Sequence, residues 1–124
     1  VGQKGQYRAA RAAFERYLRS EGLERYVVVT QGFFHDTLPP HGLRKISFLR
    51  LDGDLYNSTA VALQRLYDLV VPGGYVYVDD YGSFNGCRAA VDEFFASKAL
   101  SGGLLRHVPE RNGRSEAAWF VKPN

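Results

Sequence analysis

Two pairs of aspartates stand where a protein core does not readily absorb them. Asp52 and Asp54 follow the apolar run KISFLRL at 45–51, and Asp79 and Asp80 follow YVYV at 75–78. If those runs are neighbouring strands of a parallel sheet, about 4.8 Å apart, the carboxylates share one small volume. Like charges so close raise each other's pKa unless something positive intervenes. A bound divalent cation is the economical answer, and all-oxygen ligation suits a hard ion such as magnesium (Mg2+), with manganese or calcium as the other hard ions of this kind. No His or Cys stands near enough in sequence to suggest zinc. Aspartate is also an ordinary helix cap and turn residue, so Asp54 can cap a helix beginning near Ser58 and Asp80 can sit in a turn. The same pattern at two strand exits favours a shared site over two unrelated caps.

The elements that must position these groups follow from periodicity. Residues 6–20 carry Tyr7, Ala10, Phe14, Tyr17 and Leu18 at helical spacing, with Gly22 as the stop. RYVVVTQ at 25–31 is rich in β-branched residues and reads as a short strand. The prolines and glycine at 37–42 make a loop. Residues 45–51 read as a strand ending at Asp52, followed by a helix capped by Asn57 or Ser58, with Val61, Leu63, Leu66, Leu69 and Val70 on its buried stripe and Pro72-Gly73-Gly74 at its end. Residues 75–78 form the clearest strand. A helix is expected over 87–100, with Ala90, Val91, Phe94 and Phe95 inward, then a pair of strands at 104–109 and 117–122 joined at the Asn112-Gly113 hairpin signal. Alternation of strand and helix argues for an α/β sheet, mainly parallel, closed by an antiparallel hairpin. Strands that feed helices run the same way, so both aspartate pairs fall on one edge of the sheet, where such folds place their ligands.

Composition narrows the function classes. The chain has 124 residues, 45% hydrophobic and 14% aromatic, as expected of one folded domain spanning 1–124. No apolar run approaches the ~20 residues of a membrane span, so a membrane partner is not expected. The net charge is +3, and Lys and Arg are scattered rather than clustered, which reads as a solvated surface rather than a nucleic-acid interface. The single cysteine, Cys87, rules out an internal disulfide and a Cys-based zinc site, and its apolar helical setting makes it a small buried residue. A cytoplasmic location is the expectation from this cysteine usage.

The motifs then carry a resemblance. LRLDGDLYNST at 49–59 closely resembles the LRLDGDLYxST motif of the macrocin O-methyltransferase (TylF-type) family of class I S-adenosylmethionine-dependent methyltransferases. PGGYVYVDDY at 72–81 matches that family's PGGYxxVDDY, CRAAVDEF at 87–94 resembles its CRxAVDEF helix, and GFFHDTLP at 32–39 resembles its GxFxDTLP segment. The resemblance implies a Rossmann-like fold, S-adenosylmethionine as methyl donor, and Mg2+-dependent transfer to a hydroxyl of a sugar or small natural product. By motif position, Asp52, Asp79 and Asp80 correspond to the metal ligands and Asp54 to the general base. In that chemistry the metal holds two neighbouring substrate oxygens and lowers the pKa of the one that reacts, and Asp54 takes its proton. The oxygen then attacks the sulfonium methyl in line.

The sequence departs from the family at one point. No glycine-rich donor-binding turn follows a strand, and no acidic ribose-binding residue follows a second one. The chain, which begins at Val1 and contains no methionine, is therefore expected to be the C-terminal part of such an enzyme, without its first two strands. It should expose a sheet edge and an apolar helix face, be marginally stable, and bind the donor poorly. His35 is expected as an exposed loop residue near donor or acceptor, Tyr56 and Tyr81 as pocket lining or packing, Trp119 as core, and Arg50 as a partner of an aspartate or a side chain snorkelling off the sheet. Two rival functions stand beside the methyltransferase: a metal-dependent glycosyltransferase, and a non-catalytic remnant or interaction module of the same fold. The acceptor, the native metal and any homo-oligomer are left open.

Overall fold

The computed structural model describes residues 10–110 and 116–124. The backbone falls into two compact units, 1–31 and 32–124.

In the first unit, α1 (Arg11–Ser20) is followed by a 3₁₀ turn at Glu24–Tyr26. Of the expected apolar face, Leu18 is buried, whereas Phe14 and Tyr17 are exposed. Tyr7 lies outside the described residues. The strand expected over 25–31 does not form: the 3₁₀ turn takes its first residues, and 27–31 belong to no strand. A β-branched run prefers a pleated, half-buried surface more than it prefers an extended backbone as such. With Val28 88% exposed, there is no such surface for it.

The second unit holds the sheet. After α2 (Phe34–Thr37) come β1 (Ile46–Leu51), α3 (Tyr56–Leu66), a 3₁₀ turn at Tyr67–Leu69, β2 (Val70–Val78), α4 (Asn85–Ser97), a 3₁₀ turn at Gly102–Leu104, β3 (Arg106–His107) and β4 (Ala118–Val121). The sheet order is β1-β2-β4-β3. β1 and β2 are parallel neighbours, and β4 is antiparallel to both β2 and β3, so β1, β2 and β3 run one way and β4 against them. This is the Rossmann-like α/β arrangement expected, with the antiparallel strand at its C-terminal end. The Asn112-Gly113 turn lies outside the described residues. β1 ends the sheet, and among the described residues its outer edge has no strand partner.

The core lies on one face. Leu49, Leu51, Val76, Val78, Ala118 and Phe120 point to α3 and α4, where they meet Ala62, Leu63, Leu66, Val91, Phe94 and Phe95. Phe95 stands edge-on to Phe120 with ring centroids 4.8 Å apart, and Tyr67 edge-on to Phe94 at 4.9 Å. The alternate residues face away. Phe48, Tyr75 and Val121 are exposed, and Trp119, expected in the core, is only half-buried beside Tyr75. Its register explains this: in a strand of period two, burial of Ala118 and Phe120 turns Trp119 to the other side.

Pro72-Gly73-Gly74 does not end a helix. Ile46 pairs with Val70 and Phe48 with Tyr75, so the intervening residues bulge out within β2. Gly73 has a φ of 81°, and its N–H donates to Lys122 O at 2.9 Å. A Cβ on Gly74 would lie 2.8 Å from Val71 O and 3.1 Å from Ser47 O, both backbone atoms that cannot swing aside. Gly74→Ala is therefore expected to destabilise the chain by about 2 kcal/mol or more. Gly102→Ala, whose Cβ would meet nothing, should stay within about 0.5 kcal/mol of wild type. Urea denaturation of the two variants checks this, and equal midpoints would refute the bulge packing.

Candidate active site

β1 and β2 deliver their aspartates together. Leu51 pairs with Val78 in register, and the ladder continues one step further, because the Asp79 N–H donates to Leu51 O at 2.9 Å. The two chain exits are thus stitched side by side at the C-terminal edge of the parallel pair.

The exit from β1 is a tight turn. Leu55 N–H donates to Gly53 O at 2.6 Å, and Asp54 adopts a φ of 60°. That left-handed conformation is uncommon outside glycine, although aspartate tolerates it better than most residues. Ser58 does not cap α3, nor does Asn57 or Asp54: the helix starts at Tyr56 after Leu55, with no side-chain cap. Ser58 Oγ instead donates back to Gly53 O at 2.6 Å, tying the turn to the first turn of the helix. A Cβ at Gly53 would lie 2.8 Å from Ser58 Oγ and 3.0 Å from Ser58 Cβ, so the close approach favours glycine. The exit from β2 is also a turn, and Asp80 O accepts from Ser83 N–H and Phe84 N–H. Asp80 is thus a turn residue as well as a site residue.

Asp52, Asp54 and Asp80 each bring one carboxylate oxygen to within 4.8 Å of the others. Asp79 is not in this group. Its Oδ1 accepts from Arg50 Nη2 at 3.2 Å, and the same nitrogen lies 3.5 Å from Asp52 Oδ2. Of the two expectations for Arg50, pairing with aspartate is the one realised. One carboxylate oxygen, Oδ2 of Asp80, is buried and has no hydrogen-bond partner. Burial pushes the Asp80 carboxyl up to about 7, helped by a hydrogen bond with Asp54 and by the negative charges of Asp54, Asp79 and Asp52.

The flanking residues sort themselves. Tyr81 is buried and its hydroxyl donates to Asp92 of α4 at 2.7 Å, so it is packing. Tyr56 donates to Glu93, also of α4. These two links, which periodicity does not reveal, brace both exits against one helix. Cys87 is buried and free, and burial raises its thiol pKa, in keeping with a packing role. Beside the Asp52–Asp54 turn lies a hollow of about 340 Å³, lined mainly by Phe33, Phe34, Leu55 and Val61, with exposed His35 stacked on Phe33. Its apolar walls suit the ring or alkyl part of a small molecule.

Three carboxylates with converging oxygens, one of them orphaned and holding its proton to near neutrality, form a donor set that fits a hard divalent cation. The family model and the relatives named below are described as O-methyltransferases. Residues 6–107 match the model of the family described as macrocin-O-methyltransferase (TylF). The chain is 43% identical over 91 residues to the 8-demethyl-8-(2,3-dimethoxy-alpha-L-rhamnosyl)-tetracenomycin-C 4'-O-methyltransferase of Streptomyces olivaceus, covering 73% of this chain and 33% of that protein. It is 43% identical over 83 residues to the demethyldecarbamoylnovobiocin O-methyltransferase of Streptomyces niveus, covering 67% and 32%. The chain thus spans about a third of the length of the curated relatives it matches. Among solved structures, the O-methyltransferase NovP superposes on all of this chain and 56% of its own, with a TM-score of 0.65 and 27% identity. The fold is shared with CalS11, described as a TDP-rhamnose 3'-O-methyltransferase, at a TM-score of 0.65 and 20% identity, over 94% of this chain and 54% of that one. With more than three quarters of its length inside the family match, the chain belongs to the macrocin O-methyltransferase (TylF) family.

Proposed function

We propose that this chain carries the metal and acceptor side of an S-adenosylmethionine- and Mg2+-dependent O-methyltransferase that methylates a hydroxyl of a sugar or other small natural product. The observation that carries the reading is that the two strand exits bring one oxygen each of Asp52, Asp54 and Asp80 within 4.8 Å of one another, where Asp80 also has a buried oxygen without a partner. The relatives support the acceptor class, since one acts on a rhamnosyl-bearing tetracenomycin. The family match gives no support to a glycosyltransferase.

Asp52 and Asp80 would hold the cation, joined by Asp79, the neighbouring residue at the exit of β2, which stands outside the converging group while Arg50 engages it. When bound, the cation would supply Lewis acidity that makes an acceptor hydroxyl easier to deprotonate. The remaining work falls to the protein. Asp54, lifted beside Asp80 by its left-handed backbone, accepts the proton from the reacting hydroxyl. The Ser58 to Gly53 hydrogen bond and the Tyr56 and Tyr81 links to α4 hold that carboxylate in place, and alignment of this kind accounts for much of the rate in such transfers. The apolar hollow beside the turn excludes water from one flank of the acceptor. Toward the donor the fit is poorer: among the described residues no glycine-rich turn follows a strand.

Two predictions follow from this arrangement. In an intact family enzyme carrying this segment, Asp52→Ala and Asp54→Asn should each lower kcat by about 10²- to 10⁴-fold. Asp52→Ala should weaken Mg2+ activation as well, and Asp54→Asn should not. Undiminished turnover in both would leave the chain a non-catalytic module. The second concerns pH. The Asp80 carboxyl rises from 3.8 when unfolded to about 7 when folded, so between those values the folded chain binds the extra proton. The stability that this proton confers is lost as pH rises through about 7. In chelator-treated protein, Asp80→Asn should therefore gain on wild type between about pH 4 and pH 8. A gain on the order of 1–2 kcal/mol is expected after solvent screening of the partly exposed cluster. Parallel stability curves from urea melts would contradict it.

A further inference from the structure

Arg50 is an odd residue for its position. It sits within β1, on the sheet face that the core helices do not cover, opposite Tyr77 in register. Its guanidinium lies 6.0 Å over the Tyr77 ring. A single nitrogen, Nη2, reaches both strand exits: Asp79 at 3.2 Å and Asp52 at 3.5 Å. Among the described residues, these are the ion pairs made by the four site aspartates. The other ion pairs lie elsewhere, as with Lys98 to Asp68 and Arg88 to Asp92.

We propose that Arg50 is a resident counter-cation that competes with the divalent ion for Asp79 and Asp52 and thereby sets the affinity of the site. The inference rests on the cation reading above and adds a residue that acts through the ligands. The geometry gives the reason. Asp79 is engaged by Arg50 and stays outside the three-carboxylate group, so an ion that needs Asp79 must first displace the guanidinium. Without an ion, the same guanidinium offsets part of the repulsion among the aspartates. Arg50 is more than half exposed and so is Asp52, which makes that pair weak and readily exchanged; Asp79, less exposed, is the firmer partner. A guanidinium on a long, flexible three-methylene stem suits this role, since it can swing out to water along the sheet face without unmaking the strand. Its charge also repels the arriving ion whether or not it has let go. Arg50 is therefore a positioning residue whose removal should tighten, not loosen, the cation site.

The test uses the full 124-residue chain with Mn2+ alone as the probe, its free concentration read by electron paramagnetic resonance. Arg50→Met and Arg50→Gln should each bind Mn2+ roughly three- to tenfold more tightly than wild type at low salt, and the gap should narrow in about 1 M KCl. Arg50→Lys, which keeps the charge, should remain within about twofold of wild type. Circular dichroism identifies any variant that fails to fold, and the two neutral variants cover one another. Unchanged or weaker binding by a folded neutral variant overturns the role of Arg50 while leaving the cation site standing. The same holds if the lysine variant behaves like the neutral ones, because shape and not charge would then be at work. A wild-type chain that binds no Mn2+ overturns both the inference and the reading beneath it.

Discussion

Negative charge is confined at the end of β1 and β2 by backbone that cannot easily spread it. The two strands are hydrogen-bonded in register up to Leu51 and Val78, and the Asp79 N–H extends the ladder past them. Separating the carboxylates would mean breaking that ladder, so the repulsion is relieved locally instead. Asp80 keeps a proton to about pH 7, and Arg50 leans over both exits. A divalent ion held by the same carboxylates would offset more of the repulsion than either.

The rest of the second unit holds the acidic groups against their own repulsion. The core face of the sheet is dry where the charges begin: Leu51 is 5% exposed and Val78 fully buried, one residue before Asp52 and Asp79 respectively. Unfolding the exits would expose those side chains, which weigh about 1.5–3 kcal/mol each when fully buried. α4 adds the second constraint, since Tyr56 from the β1 side and Tyr81 from the β2 side both donate to acidic residues on it. The opposite sheet face, carrying Phe48, Tyr75 and Val121, contributes little to this, being open to solvent.

Much of this was legible in the sequence because the informative residues sit at changes of pattern. Apolar runs that stop at acidic pairs located both exits, and a period of 3.6 identified Ala90, Val91, Phe94 and Phe95 as the inner face of α4. The failures share a cause: burial and backbone strain belong to the partner, not to the residue. Val27 to Val29 look like a strand but meet no strand to pair with. Trp119 looks like core but falls out of phase with Phe120. Pro72-Gly73-Gly74 looks like a stop and is a bulge, because Gly74 must pass between the backbones at Val71 and Ser47. The left-handed φ of Asp54 left only a faint signal, the Gly-Asp pair after a strand. The division of labour between Arg50 and the aspartates left none beyond an arginine where an apolar residue would be ordinary.

These strand exits are proposed to form one cation site. Crystals of the chain grown with Mn2+, and diffraction collected at the manganese edge, test it most directly. The account expects a single anomalous peak within about 2.3 Å of oxygens from Asp52, Asp79 and Asp80, with the Arg50 guanidinium withdrawn from Asp79. A map without a peak at the exits, with Mn2+ in large excess over protein, would contradict it, as would a peak held by Asp52, Asp54 and Asp80 with the Arg50 to Asp79 pair intact.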